Sequence, residues 1–186
     1  MDKTLIPPVI LSVEAIAQSQ LFTIESVALR FSNGQKRQFE RLRPTGARAV
    51  MVVAIDNQEL LLIREYAVGI EDYELSFPKG AVDSGEDLFQ AANRELMEEV
   101  GFAARQLTLL RTLTVIPGYL SSEMSILLAQ DLYPQQRLGD EPEPLQLQRW
   151  PVERMLQLLE EPHFSEARCI SALFLAQQFL QRLAVS

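Results

Sequence analysis

Three glutamates, Glu95, Glu98 and Glu99, stand at positions i, i+3 and i+4. On a helix that spacing puts all three carboxylates on one face, within reach of one another. As scaffold it is a poor arrangement, because each like-charge pair costs about 0.2–0.5 kcal/mol on an exposed helix. Carboxylates in a last turn also oppose the helix dipole by roughly 0.3–1 kcal/mol. A bound divalent cation reverses the sign. Clustered hard oxygen ligands suit Mg²⁺ or Mn²⁺, with water and phosphate oxygens completing the coordination shell.

The flanking residues predict the helix that this chemistry needs. Asp83-Ser84-Gly85 suits a helix start, Glu86 and Asp87 suit its positive end, and Gly101 stands where a left-handed C-terminal cap belongs. A helix is therefore expected over residues 86–100. Its core stripe is expected at Phe89, Ala92, Leu96 and Val100, spaced by three, four and four, with the acids off that stripe.

Around this helix the chain reads as strands first and helices later, which favours an α+β or layered α/β fold over a doubly wound sheet. Residues 21–31 and 36–42 form two strand-like runs joined by Ser32-Asn33-Gly34, a strong hairpin signal. Val50–Ile55 and Leu60–Ile63 read as buried strands around a polar turn. Further strands are expected at Leu107–Val115 and Met124–Ala129, then a polar loop over residues 137–144. A helix opened by Trp150-Pro151 and running to Leu159, and a second over Ser165–Leu183, complete the expectation. The division expected is an N-terminal β-hairpin region, 1–45, and a main domain, 46–186. So small a hairpin cannot hold a core alone, which points to packing on the main domain or to a homodimer contact.

Composition narrows the class. The chain has 186 residues, one domain's worth with a small appendage. A net charge of −8 lacks the footprint of a nucleic-acid binder, so phosphates must be met through metal or a local basic pocket. One cysteine, Cys169, rules out an internal disulfide and a cysteine zinc site, and one histidine, His163, makes a His-rich metal site equally poor. The N-terminal residues lack the pattern of a secretory leader, and no apolar run reaches the length of a membrane span, so a cytoplasmic, reducing location is expected.

The stretch Gly80–Phe102 matches G-x5-E-x7-R-E-U-x-E-E-x-G-U at Gly80, Glu86, Arg94, Glu95, Leu96, Glu98, Glu99 and Gly101, with the aromatic Phe102 where an aliphatic residue is usual. It resembles the box of the Nudix hydrolases. Leu62-Ile63-Arg64-Glu65-Tyr66 and Tyr73-Glu74-Leu75-Ser76-Phe77-Pro78-Lys79-Gly80 resemble the ADP-ribose and ADP-sugar branch, with Pro78-Lys79-Gly80 replacing the Pro-Ala-Gly common there. The resemblance implies an α/β/α sandwich around a mixed sheet, with the N-terminal antiparallel hairpin as an extension. It implies that Glu95, Glu98 and Glu99 ligate the metal, that Glu86 supports the site, that Arg94 orients the acids, and that a backbone carbonyl beside Gly80 joins the coordination.

The activity so implied is hydrolysis of the pyrophosphate bond in ADP-linked compounds (ADP-ribose, diadenosine polyphosphates, NADH) with Mg²⁺ or Mn²⁺, releasing AMP. Glu143 and Glu141 are joint candidates for the general base, Glu123 is a further acid for that role, and Glu95 itself is an alternative. Arg64 and Arg43 suit phosphates, and Glu74 a ribose hydroxyl or the adenine amine. A sanitising nucleoside-triphosphate pyrophosphohydrolase shares the box but is typically shorter before its first core strand. A non-catalytic nucleotide sensor usually loses box glutamates, and this chain keeps all four. The partners expected are a small ADP-containing substrate and a second copy of the chain, with neither nucleic acid nor membrane.

Overall fold

The computed structural model describes residues 5–46, 48–139 and 142–185. The chain divides into two compact units, residues 1–47 with 114–123, and residues 48–113 with 124–186.

The first unit is a three-stranded antiparallel sheet in the order β1-β2-β3, with β1 Val9–Gln18, β2 Phe22–Arg30 and β3 Lys36–Pro44. The hairpin read from Asn33-Gly34 is present. Gly34 has a φ of 83°, and its N–H donates to the Phe31 carbonyl, closing a short loop. The third strand, β1, corrects the two-stranded expectation. Its sequence, VILSVEAIAQ, runs apolar on both faces and is broken by register shifts near Leu11 and Ile16, so it carries no clean alternation. Residues 114–123 join this unit, where Leu42 and the Tyr119–Ser121 backbone exchange hydrogen bonds.

The second unit is a mixed sheet in the order β10-β5-β4-β9-β8, with β6 added to β5 and β7 to β4. The strands are β4 Arg48–Asp56, β5 Glu59–Ala67, β6 Asp72–Ser76, β7 Lys79–Ala81, β8 Phe102–Thr114, β9 Glu123–Pro134 and β10 Gln146–Pro151. Both sheet faces are covered, which is why β4 and β5 read as unbroken apolar runs rather than alternating ones. Val50, Val52, Ala54, Leu61 and Ile63 pack with Ala91, Ala92 and Leu96 of helix α1, Leu88–Glu99. Met51, Val53, Leu60 and Leu62 are equally buried. Helix α2, Ala167–Val185, also packs on β4, through a buried row that includes Cys169, Ala172, Leu173 and Ala176. Asn57 and Gln58, both at positive φ, turn β4 into β5 as a two-residue hairpin loop demands.

Two helical expectations change. Trp150 and Pro151 end strand β10, and the segment after them, Val152–Glu160, is 3₁₀ with Arg154 off helical geometry. Pro151 lacks an N–H and its side chain offers no cap, so the helix read from Trp150-Pro151 starts late and tight. Helix α1 begins at Leu88 because Asp87, not the Asp83 turn, caps it. Its side chain accepts from the Phe89 and Gln90 N–H groups, and Gln90 returns a bond to the Asp87 N–H. Among the described residues no helix is long and apolar enough to cross a membrane.

Candidate active site

The glutamates project from α1, whose expected core stripe is buried at Ala92, Leu96 and Val100 but not at Phe89. Phe89 is 44% exposed and lies off the core, whereas Ala91, Ala92, Leu96 and Glu95 are buried. Helix periodicity fixes which residues share a face but not which face the sheet takes. Here the sheet takes the face that carries Glu95 inward with Leu96. The helix ends where expected, with Gly101 at a φ of 76° just beyond Val100.

Opposite the helix, Asp83-Ser84-Gly85-Glu86 forms a turn. The Glu86 N–H donates to the Asp83 carbonyl, and Gly85 supplies the positive φ of 90° that a type II turn needs at its third residue. Strand β7 pairs Gly80 with Val50 and so lays the glycine against the sheet beside Glu95. A Cβ at Gly80 would overlap the Glu95 carboxylate, so the requirement for glycine here is one of space.

Arg94 ties the turn to the helix. Its Nε donates to Glu86 Oε1 at 3.0 Å and its Nη2 to Glu86 Oε2 at 3.1 Å and to the Ala81 carbonyl at 2.7 Å. Its Nη1 bridges Glu95 Oε1 at 2.7 Å and Glu98 Oε2 at 3.1 Å. These acceptors hold Arg94 firmly protonated, and the Arg94 guanidinium holds the Glu86 carboxyl below its usual range. Glu99 is turned toward the sheet, where it accepts the Lys79 N–H at 3.0 Å. Burial, with the charge of Glu95 second, pushes its carboxyl up to about 9. The Lys79 ammonium contacts Glu65 Oε2 at 3.0 Å and Ser76 Oγ at 2.9 Å. Glu65, Lys79, Arg94 and the three helix glutamates line a cleft of about 530 Å³, together with Arg137, Leu138, Gly139 and Pro142 from the loop after β9.

Among the described residues no three acidic, histidine or cysteine side chains already converge as a metal-ligand set. Arg94 sits between Glu95 and Glu98 and answers their charge. The donor chemistry nonetheless fits a hard divalent cation, because the cleft offers several carboxylates and neither imidazole nor thiol. Glu95, Glu98 and Glu99 share the wall of this one cleft, so a cation bound there would have three carboxylates within one lining.

The remaining sequence candidates are dispersed. Glu143 is exposed and accepts the Tyr73 hydroxyl at 2.5 Å, one residue beyond cleft-lining Pro142. That bond, reinforced by the carboxylate's charge, raises the Tyr73 phenol. Glu141 lies outside the described residues. Glu123 is exposed at the start of β9. Arg94 is at the centre of the cleft wall. Arg64 alternates with Glu65 on β5 and therefore faces the other side of the sheet. Glu74 is half-buried on β6, its charge felt by Arg168 and Cys169 of α2. Arg43 pairs with Glu25 at 2.9 Å within the N-terminal sheet.

Sequence reasoning missed Glu65, the Lys79 side chain and Arg137. An acid on the same strand face as buried Leu61 and Ile63 was a usable signal for Glu65. Arg137 had none, since its place follows from the path of a loop.

The site is thus an acid-rich helix end braced by one arginine, facing a glycine-bearing turn and backed by a mixed sheet between two helices. The NUDIX domain family matches residues 45–174, and the NudE-type Nudix hydrolase N-terminal domain matches residues 8–41. The chain belongs to the Nudix hydrolase family, enzymes of the pyrophosphohydrolase class. It is 58% identical to the ADP compounds hydrolase NudE of Escherichia coli, over 97% of each chain. It is 28% identical to an ADP-ribose pyrophosphatase of Bacillus subtilis, over 90% of this chain and 92% of that one. A crystal structure of an ADP compounds hydrolase, 56% identical, superimposes with a TM-score of 0.94 over 98% of each chain.

Proposed function

We propose that this protein hydrolyses the pyrophosphate bond of ADP-linked compounds, using a divalent cation held by Glu95, Glu98 and Glu99. The observation that carries the reading is the lining of one cleft by Glu95, Glu98 and Glu99, with Glu95 filling the space that Gly80 leaves and Glu99 bonded to the Lys79 N–H. The near full-length similarity to an ADP compounds hydrolase supports the choice of substrate class. Nudix hydrolases depend in general on divalent metal; Mg²⁺, with Mn²⁺ as a substitute, suits the all-oxygen donors. When bound, such an ion neutralises phosphate charge and makes a water nucleophilic at neutral pH.

The chain's own residues do the positioning. Arg94, its side chain 11% exposed, clamps Glu86 and fixes the carboxylates of Glu95 and Glu98. Because these groups are held before substrate arrives, little reorganisation remains for the chemical step. Glu143 is our candidate for the base that takes the proton from water, with Tyr73 orienting it; Glu141 and Glu123 are the alternatives. With ADP-ribose, water adds to one phosphorus and the bridging oxygen leaves with the other, giving AMP and ribose 5-phosphate.

We assign the three-stranded sheet to a homodimer contact. Every residue of β1 is exposed, including Val9, Ile10, Leu11, Val13 and Ile16, and β1 is an edge strand. An apolar edge of this kind is normally covered. The substrate reading is tested by product analysis on ADP-ribose, NADH, diadenosine triphosphate, GDP-mannose and dGTP. Selective AMP release from the ADP compounds supports it; cleavage of dGTP to dGMP and pyrophosphate with the ADP compounds intact overturns it.

A further inference from the structure

The cleft that must receive a polyanion is itself acidic. Glu65, Asp83, Glu95, Glu98 and Glu99 line it against three cations, Lys79, Arg94 and Arg137. Two of those cations are already committed. Arg94 is 11% exposed and engages Glu86, Glu95, Glu98 and the Ala81 carbonyl. Lys79 is 17% exposed and held by Glu65 and Ser76.

Arg137 differs from both. Its side chain is 57% exposed, and among the described residues its ion pair is with Glu98 alone, Nε to Oε1 at 3.1 Å. Its backbone is fixed where its side chain is loose. The Arg137 N–H donates to the Met97 carbonyl, and two residues earlier the Gln135 N–H donates to the Gly101 carbonyl, so the loop is fastened to the end of α1. A guanidinium on an anchored backbone, engaged through Nε, carries two further nitrogens suited to bidentate contact with phosphate oxygens.

We propose that Arg137 is a phosphate-binding residue of this cleft, exchanging its contact with Glu98 for the pyrophosphate of the substrate. The inference rests on the pyrophosphate reading above and adds a residue to it. Exchange also frees Glu98 of one of its two cationic partners as substrate arrives. A purely structural role predicts something different: α1 has no basic residue in its last turn, and Arg137 would then serve only as an external positive charge at that helix end.

The test compares wild type, Arg137→Ala, Arg137→Lys and the control Arg105→Ala, an arginine of similar exposure (59%) paired with Asp131. The control removes the same charge from an arginine that does not line the cleft. Steady-state hydrolysis of ADP-ribose gives kcat and KM, calorimetry with the non-hydrolysable α,β-methylene-ADP gives Kd, and melting gives stability. Loss of a charge-assisted contact predicts that R137A raises KM and Kd at least about tenfold with kcat within about threefold, that R137K recovers part of the loss, and that R105A changes neither. KM and Kd within twofold of wild type for R137A overturn the proposal, whether or not its melting temperature falls, and equal losses in R105A overturn it too. A wild type that binds the analogue but leaves ADP-ribose intact removes the substrate reading, while the Kd comparison still decides Arg137. Absence of binding to the wild type overturns both.

Discussion

Replacing Gly80 by alanine isolates the geometry on which the site depends. Gly80 does not need a positive φ, so alanine brings no backbone strain there. The added methyl instead overlaps the Glu95 carboxylate, which is 6% exposed and bonded to Arg94 Nη1 at 2.7 Å. Either the carboxylate swings away and a charged hydrogen bond worth about 1.5–3 kcal/mol is lost, or β7 is pushed off β4 at an overpacking cost of about 1–3 kcal/mol. At about 2–4 °C per kcal/mol for a chain of this size, the melting temperature falls by roughly 2–12 °C. Turnover should fall much further, by about a hundredfold, since displacement of a positioning group by about 1 Å has that effect. Gly69→Ala, with nothing within 4 Å of its Cβ, is the control and should stay within about 0.5 kcal/mol of wild type. The assay is AMP release from ADP-ribose beside thermal melting. A Gly80→Ala protein with wild-type turnover would show that the closeness of Gly80 to Glu95 is irrelevant to catalysis.

Glu99→Gln keeps the acceptor for the Lys79 N–H but removes a carboxyl that burial forces to take up a proton on folding, so at neutral pH in metal-free protein its melting temperature should hold or rise while kcat drops by about two orders of magnitude or more; a fall in both would indicate a structural carboxylate. Asp87→Ala removes the carboxylate that accepts from the Phe89 and Gln90 N–H groups while keeping the backbone N–H that donates to Gln90, and should cost about 0.5–2 kcal/mol by melting, with kcat nearly unchanged. Sedimentation at micromolar concentrations should find a dimer, and substituting Ile10 and Ile16 by lysine should dissociate it; a monomeric wild type would remove the role given to β1.

What the sequence made legible follows from local physics. Asn33-Gly34 can hardly be read except as a turn, the twin apolar runs of β4 and β5 required cover on both faces, and three glutamates at i, i+3 and i+4 had to share a helix face. What it hid was set by tertiary contact. The stripe expected on α1 is buried at Ala92, Leu96 and Val100, but the sheet beneath the helix also takes in Ala91 and Glu95 and leaves Phe89 outside, and the 3.6-residue period alone does not set how wide the buried face is. The three-residue strand β7 is too short to announce itself, yet it places Gly80 against Glu95. Arg137 reaches the cleft because its loop fastens to the end of α1 through backbone groups, which residue type does not encode. Among the candidate site residues, those within the Gly80–Phe102 motif line one cleft, whereas Arg43, Arg64, Glu74 and Glu123 lie on other strands.

The most direct test of the central claim is the reaction of the purified protein with ADP-ribose, once with Mg²⁺ and once with a chelator, following AMP and ribose 5-phosphate together. The account predicts both products in equal amounts with the metal and neither without it. Undiminished turnover in chelator, or intact ADP-ribose with Mg²⁺ present, would contradict it.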